Sequence, residues 1–380
     1  MPPTTSDSED DVEQLCHEGG ADLAAFLMSK AIPIKAVSAE TKPIRKWTYR
    51  DILKLPTAAQ EEWKAACRHE LDILCKCKVY ELVDLPKGCK VIDNRWVFDM
   101  KPNGRKRACL VAKGFSQVEG VDFDKIFSPV VRFETVWLML ALATLENWHI
   151  ESLNVCSTYL YGKLTEEIYM NQPEGFRVPG QEHKVLHLLH ALYGLKQAGL
   201  AWWETLNESM KELGFEHLKS DAGIFLYQKK GTNIVVAVIY VDDTLFCGPT
   251  KAIVDEIKGL FMKKWECRDL GPATSFLNMQ IKRDGCKILI DQCSYLEKVL
   301  ECFEMQNART APTPLPQGYY PSKHLGSVDP ELQSCFQQVI RSLLYITLGT
   351  RPDVAYAVAA LSQHAANPSK EHLDKALYIC

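Results

Sequence analysis

No stretch of this chain approaches the ~18 consecutive apolar residues that a membrane-spanning helix needs. The N-terminus, MPPTTSDSEDD, is acidic and has no apolar core, which excludes a secretory signal peptide and predicts a protein that is not secreted. The 14 cysteines are therefore expected as reduced thiols rather than a disulfide framework. Zinc-finger and zinc-ribbon spacings are missing too: Cys75-x-Cys77 lies near Cys67 and His69, but in neither pattern. Nor is there a general excess of positive charge. The net charge is −4, and residues 1–45, with eight acids against four bases, hold all of it. The rest is neutral, so a nucleic-acid site must be a local patch, and the best candidate is Lys101–Lys113 with Lys101, Arg105, Lys106, Arg107 and Lys113. Internal repeats are absent. A hydrophobic content of 47% over 380 residues is enough for a globular protein with more than one core.

What stands out is Ile234–Cys247, IVVAVIYVDDTLFC. Its first eight residues are apolar or aromatic and rich in β-branching, the pattern of a strand buried on both faces. Leu245-Phe246-Cys247 is the return strand, which puts Asp242-Asp243 at the bend of a hairpin. An ordinary turn also favours aspartate. Two adjacent carboxylates wedged between buried strands are costly, however, unless a cation meets them, and a divalent metal carrying phosphate is the obvious candidate.

Around this hairpin the chain reads as α+β. Residues 1–45 are expected to be mostly disordered, with a short helix at Ala21–Lys30. Thr57-x-x-Gln60 reads as a capping box opening a helix to about Cys77. Val79–Val83, Arg95–Met100 and Ala108–Ala112 read as strands, with a turn at Pro102-Asn103-Gly104. A helix is expected over Phe133–Leu145 and a strand over Trp148–Val155. Tyr159–Phe176 reads as loops, and Val185–Leu189 as a strand. Leu200–Leu213, with Trp202, Leu206, Met210 and Leu213 at helical spacing, is a helix stopped by Gly214, and Ile224–Tyr227 is a strand. Lys251–Lys264 is an amphipathic helix, Phe276–Ile281 and Lys287–Asp291 form a hairpin, and Tyr295–Met305 is helical. Pro312–Pro330 holds five prolines and reads as a linker. Leu332–Leu348, Val354–His364 and Glu371–Cys380 are helical. The last helix ends without a cap, which leads us to expect truncation.

A strand ending near residue 154, a helix at 200–213 and a hairpin at 234–247 form a β-α-ββ core, the palm arrangement of template-directed polymerases, which use two metals. The motifs carry this further. In order they are Arg95-Trp96-Val97-Phe98, Leu110-Val111-Ala112-Lys113-Gly114-Phe115, Phe127-Ser128-Pro129-Val130, Ile168–Phe176, Leu192-Tyr193-Gly194-Leu195-Lys196-Gln197-Ala198, Tyr240-Val241-Asp242-Asp243, Asp269-Leu270-Gly271, Ser342-Leu343-Leu344-Tyr345 and Thr350-Arg351-Pro352-Asp353. Over roughly residues 46–380 the chain resembles a copia-type (Ty/copia) retrotransposon reverse transcriptase, as a degenerate copy. The resemblance implies a right-hand polymerase fold of fingers, ferredoxin-like palm and thumb with a helical C-terminal extension. Fingers and palm would span 46–250, a thumb-like or connection region 251–311, the Pro-rich linker 312–330 and a helical segment 331–380. It implies DNA synthesis from deoxynucleoside triphosphates on an RNA or DNA template-primer, with two Mg²⁺ ions, in a cytoplasmic particle or the nucleus and without a membrane. Asp242 and Asp243 match the metal-binding pair. Gln197 matches a residue lining the nucleotide pocket, Lys113 lies in the segment facing the triphosphate, and Tyr159 matches the aromatic that excludes a ribose 2′-hydroxyl.

The chain departs from the pattern where the chemistry lies. Leu153-Asn154-Val155 puts Asn154 where the family carries its other catalytic aspartate. Asparagine keeps the shape but offers no charge and one carbonyl oxygen, a poor exchange for a bridging carboxylate. Glu151, three residues upstream on the same strand, faces the other side and cannot substitute. Cys109 stands for a phosphate-contacting arginine, whose bidentate contacts a thiol cannot make. Gly199-Leu200 replaces Pro-Arg, and Asn278 and Arg341 replace glycines. These changes suggest relaxed selection, so catalysis is expected to be impaired and metal binding weakened. The alternative is a non-enzymatic remnant that keeps the fold and a nucleic-acid groove. With no integrase-like zinc motif before the domain and no ribonuclease H segment after it, a fragment of a polyprotein is expected.

Overall fold

The computed structural model describes residues 47–101, 104–228 and 234–380. The expected tail at 1–45, its short helix and the turn residues Pro102 and Asn103 lie outside the described residues.

The chain opens with α1 (Tyr49–Ile52) and α2 (Thr57–Lys76). The capping box expected at Thr57–Gln60 does not form. Thr57 is already helical, Pro56 is the N-cap, and the Gln60 amide donates instead to the carbonyls of Leu53 and Leu55 at 3.0 and 2.7 Å. The real reciprocal cap is one helix earlier, where Asp51 accepts from the Thr48 N–H at 2.8 Å. On α2, Trp63, Cys67 and Leu74 recur at helical spacing and are buried, and Trp63 meets Phe98 edge-on at 5.4 Å.

Next come β1 (Tyr80–Val83), β2 (Val91–Ile92) and the hairpin of β3 (Asn94–Met100) and β4 (Lys106–Ala112). Then follow α3 (Phe133–Leu145) and β5 (His149–Val155), and then β6 (Lys163–Met170) and β7 (Val185–His190). Strand β6 corrects the reading of Tyr159–Phe176 as loops. Its Thr165-Glu166-Glu167 hides the alternation, but the strand bonds to β7 and β2 in a sheet of order β1-β7-β6-β2.

The central sheet is made of β5, β8 (Phe215–His217), β9 (Ile224–Tyr227), β10 (Val235–Tyr240), β11 (Asp243–Gly248) and β12 (Cys267–Pro272). It is antiparallel throughout, in the order β12-β5-β11-β10-β9-β8. Helices α4 (Ala198–Glu212) and α5 (Lys251–Lys264) join it. Strand β10 is buried at every residue because both sheet faces are covered. Val236, Val238 and Tyr240 pack with Val136, Leu140 and Ala143 of α3. Val235, Ala237 and Ile239 pack with Trp202, Leu206 and Met210 of α4 and with Ile257 and Phe261 of α5.

Beyond it lie β13 (Ser275–Phe276), β14 (Met279–Asp284), β15 (Lys287–Asp291) and α6 (Cys293–Cys302). The expected strand Phe276–Ile281 is in fact split by a bend at Leu277-Asn278, where both residues have positive φ. Asparagine tolerates that conformation better than most residues, so Asn278 is a mild substitute for glycine. The final helices are α7 (Pro330–Gly349), α8 (Ala355–Ser362) and α9 (Lys370–Ile379). They share a core of Phe336, Val339, Leu343, Val358, Leu361 and Ala376, on which Leu315 and Tyr319 also pack. Asp329 caps α7, with Pro330 in its first turn. Tyr345 leaves this bundle, enters the core beneath the central sheet and donates its hydroxyl to the Leu277 carbonyl. Among the described residues no helix is long and apolar enough to cross a membrane.

Candidate active site

The site forms where β5 and the β10–β11 hairpin lie side by side. Register pairs Tyr240 with Asp243 across a two-residue bend, and Asp243 with Asn154 on β5. The Asn154 amide nitrogen donates to Asp242 Oδ2 at 2.9 Å and to Asp243 Oδ1 at 3.1 Å. Carboxylates offer only acceptors, so the amide must turn its NH₂ toward them, with one hydrogen for each acid. Burial pushes the Asp243 carboxyl up to about 6, and the neighbouring Asp242 adds to the shift, while the Asn154 hydrogen bond opposes it.

The other face of β5 carries a different charge cluster. Glu151 is buried and accepts from Lys258 of α5 at 2.8 Å, and Lys258 also donates to Asp269 of β12 at 3.0 Å. As the strand alternation requires, this acid points away from Asn154.

Tyr159 follows β5 in a short 3₁₀ turn and meets Tyr193 edge-on at 5.2 Å. Its hydroxyl is held above the ordinary phenol range by burial first and by the charge of Asp242 second. Burial raises the Tyr193 hydroxyl, with Cys109 and, more weakly, Asp242 adding to it while Arg107 works the other way. Burial raises the Cys109 thiol, with Glu70 adding to it, while Arg107 beside it works the other way.

Lys113 and Gln197 are engaged elsewhere. Lys113 pairs with Asp93 at 3.5 Å. Gln197 is buried at the start of α4; it accepts from Gln117 at 3.0 Å and donates to the Asp122 carbonyl at 2.8 Å and to Glu166 at 3.2 Å. Gly194 explains the turn between these motifs. Its φ is +92°, and a Cβ there would lie 2.2 Å from the Ala112 carbonyl oxygen.

Two residues near the pair were not singled out by sequence. Arg268 of β12 sits directly across from Asn154, so the row Arg268–Asn154–Asp243 crosses three strands on one face. The indole of Trp202 donates to the Val241 carbonyl at the hairpin bend at 2.9 Å. Its position on the apolar face of α4 marked it only as core.

Two carboxylates and an amide suit a two-ion centre badly. One oxygen of each acid already accepts from a neutral NH₂, and among the described residues no group of three or more His, Cys, Asp or Glu side chains could hold a metal ion. This holds for Cys67, Cys75, Cys77 and His69 as well; Cys67 is packed in the α2 core, where burial pushes its thiol up to about 12.

Comparison with known proteins matches residues 77–317 to the family described as reverse transcriptase (RNA-dependent DNA polymerase). The chain is 38% identical over 326 residues to the retrovirus-related Pol polyprotein from transposon TNT 1-94 of Nicotiana tabacum, covering 83% of this chain and 24% of that protein. With the Pol polyprotein from transposon RE1 of Arabidopsis thaliana it shares 32% identity over 321 residues, covering 82% and 22%. The chain thus spans about a quarter of the length of these relatives. Among solved structures, a foamy viral protease–reverse transcriptase in complex with double-stranded DNA aligns over 100% of this chain and 61% of its own, at 12% identity and a TM-score of 0.41, a likeness too loose to carry an argument.

Proposed function

The chain belongs to the reverse transcriptase family of copia-type retrotransposons, and on that premise we propose that it is an RNA-directed DNA polymerase domain whose chemistry is disabled at Asn154. The family as a whole works with divalent metal ions. The observation that supports the reading is the amide of Asn154 lying between Asp242 and Asp243 and donating to both. A cation-binding cage needs unsatisfied anionic oxygens, and here the two acids are already partly satisfied by a neutral group.

We assign residues 46–250 to fingers and palm, 251–311 to a thumb-like region, 312–330 to a linker and 331–380 to a helical segment. A primed RNA or DNA template and deoxynucleoside triphosphates are the substrates in this reading, and the domain acts inside the cell. Tyr159 would limit the sugar, and Lys113 would meet the triphosphate once freed from Asp93. Gln197 would act through the floor of the nucleotide pocket, since its amide is spoken for. Cys109 would leave a phosphate uncontacted. Asp242 and Asp243 would hold Mg²⁺ less well without a third carboxylate, and a primer end left misplaced would cost roughly 100-fold. Lost charge stabilisation costs a further factor of roughly 10² to 10³ by analogy with oxyanion-hole deletions.

The test is nucleotide incorporation on a primed RNA template. The unmodified chain should show no extension with Mg²⁺ and at best traces with Mn²⁺. Asn154→Asp should be required for recovery, and Asn154→Asp with Cys109→Arg should recover more. Brisk synthesis by the unmodified chain that Asp242→Asn abolishes would overturn the reading. Retained binding of the primed template without incorporation is what the non-catalytic form of the fold requires.

A further inference from the structure

Successive side chains of a strand point to opposite faces, so two adjacent aspartates cannot both reach one partner from a regular strand. Asp242 and Asp243 do so because the chain bends between them and β10, with Val241 at φ 56° in the left-handed region. That region is unfavourable for a β-branched residue, so something outside the turn must hold Val241 there. Among the described residues, two hydrogen bonds from outside the hairpin reach the backbone carbonyls of the bend. The Val155 N–H donates to the Asp242 carbonyl at 2.8 Å, which merely extends the β5–β11 ladder. The other is the Trp202 indole N–H on the Val241 carbonyl at 2.9 Å, from a side chain on a separate helix.

The indole is itself fixed. Trp202 is buried, lies edge-on to Trp265 at 5.2 Å and is tilted against Tyr161 at 6.2 Å, and those two rings meet each other at 4.9 Å. An N–H on a ring with so little freedom specifies where its acceptor sits. We propose that Trp202 is the positioning residue of the aspartate pair: through the Val241 carbonyl it fixes the left-handed bend that aims Asp242 and Asp243 at residue 154. Its meaning for catalysis rests on the polymerase reading above; the geometry stands without it.

The experiment follows the Asn154 side-chain NH₂ by NMR in the full chain with asparagine-selective isotope labelling, its signals identified by their loss in Asn154→Asp. Trp202→Phe keeps a buried ring and removes the donor. Solvent exchange of the Asn154 NH₂ should then speed up by roughly tenfold, the equivalent of about one hydrogen bond, while backbone amides of β5 and β10 keep their protection. Adding Val241→Gly, which makes positive φ unstrained, should restore slow exchange. Unchanged exchange in Trp202→Phe would overturn the proposal. Failure of Val241→Gly to restore it would also do so, because the loss would then belong to packing rather than to the bend. Nucleotide incorporation plays no part in this test, so its failure and that of the polymerase reading are separable.

Discussion

Replacing Asn154 by aspartate would put a third carboxylate against two that now share one amide. Two donations to charged acceptors, at 2.9 and 3.1 Å, are lost, each worth roughly 1.5–3 kcal/mol. At an effective dielectric near 20, each new like-charge contact at about 4 Å adds roughly 4 kcal/mol. The full sum is never reached, because the new acid takes up a proton instead. An acid titrating about three units high costs roughly 4 kcal/mol at neutral pH, and its proton restores one of the lost donors. The net penalty in a chelating buffer should therefore be about 3–5 kcal/mol, a large part of the ~5–15 kcal/mol that holds a domain together. Excess Mg²⁺ at a hundred times its dissociation constant returns about 2.7 kcal/mol. Urea unfolding followed by tryptophan fluorescence, with EDTA and with Mg²⁺, reads this directly. Asn154→Asp should unfold earlier in EDTA and recover in Mg²⁺, while the unmodified chain responds to neither. Equal stability of the two chains in EDTA, or an equal gain from Mg²⁺, would refute the reasoning.

Three further outcomes are expected. The Asp243 carboxyl has its ordinary value of 3.8 raised to about 6 in the folded chain, so its contribution is fully present below about pH 4 and lost as pH rises through 6, roughly 3 kcal/mol in all; without metal, the unmodified chain should lose that much relative to Asp243→Asn across the window, and a flat difference would count against the shift. Lys258→Met should cost about 3 kcal/mol by leaving buried Glu151 with only the exposed Lys251, 3.7 Å away, and adding Glu151→Leu should recover most of it in the same unfolding assay. Gly194→Ala should loosen the contact between the end of β4 and the turn before α4, because its Cβ would meet the Ala112 carbonyl oxygen; unaltered hydrogen exchange at Ala112, whose N–H donates to the Tyr193 carbonyl, would contradict this.

The hairpin was legible because its chemistry is local. A run buried on both faces, an abrupt pair of acids and a short return strand have few other solutions, and the opposite facing of Glu151 and Asn154 followed from the period of two alone. The failures arose where the deciding partner was distant. Strand β6 carries glutamates that make sense only beside β7, and β12 is recognisable only once β5 lies next to it. Gln60 looked like a cap because Thr57 preceded it, but Pro56 had already begun the helix. Trp202 satisfied the spacing of a core position, and nothing in that spacing shows where an indole N–H points. A tryptophan's need for an acceptor when buried was the one available signal. Gln197 was aligned with the nucleotide pocket, yet its bonds to Gln117, Asp122 and Glu166 could not be foreseen from the Leu192–Ala198 motif.

Manganese binding at Asp242 and Asp243, followed by electron paramagnetic resonance, is the most direct measurement of whether an amide stands where a cation would sit. The unmodified chain should bind Mn²⁺ at the pair far more weakly than Asn154→Asp, so that Asp242→Asn changes its binding curve little. Asn154→Asp should gain a tight site that Mg²⁺ displaces and Asp242→Asn removes. An unmodified chain that binds Mn²⁺ as tightly as Asn154→Asp, and loses that site on Asp242→Asn, would contradict it.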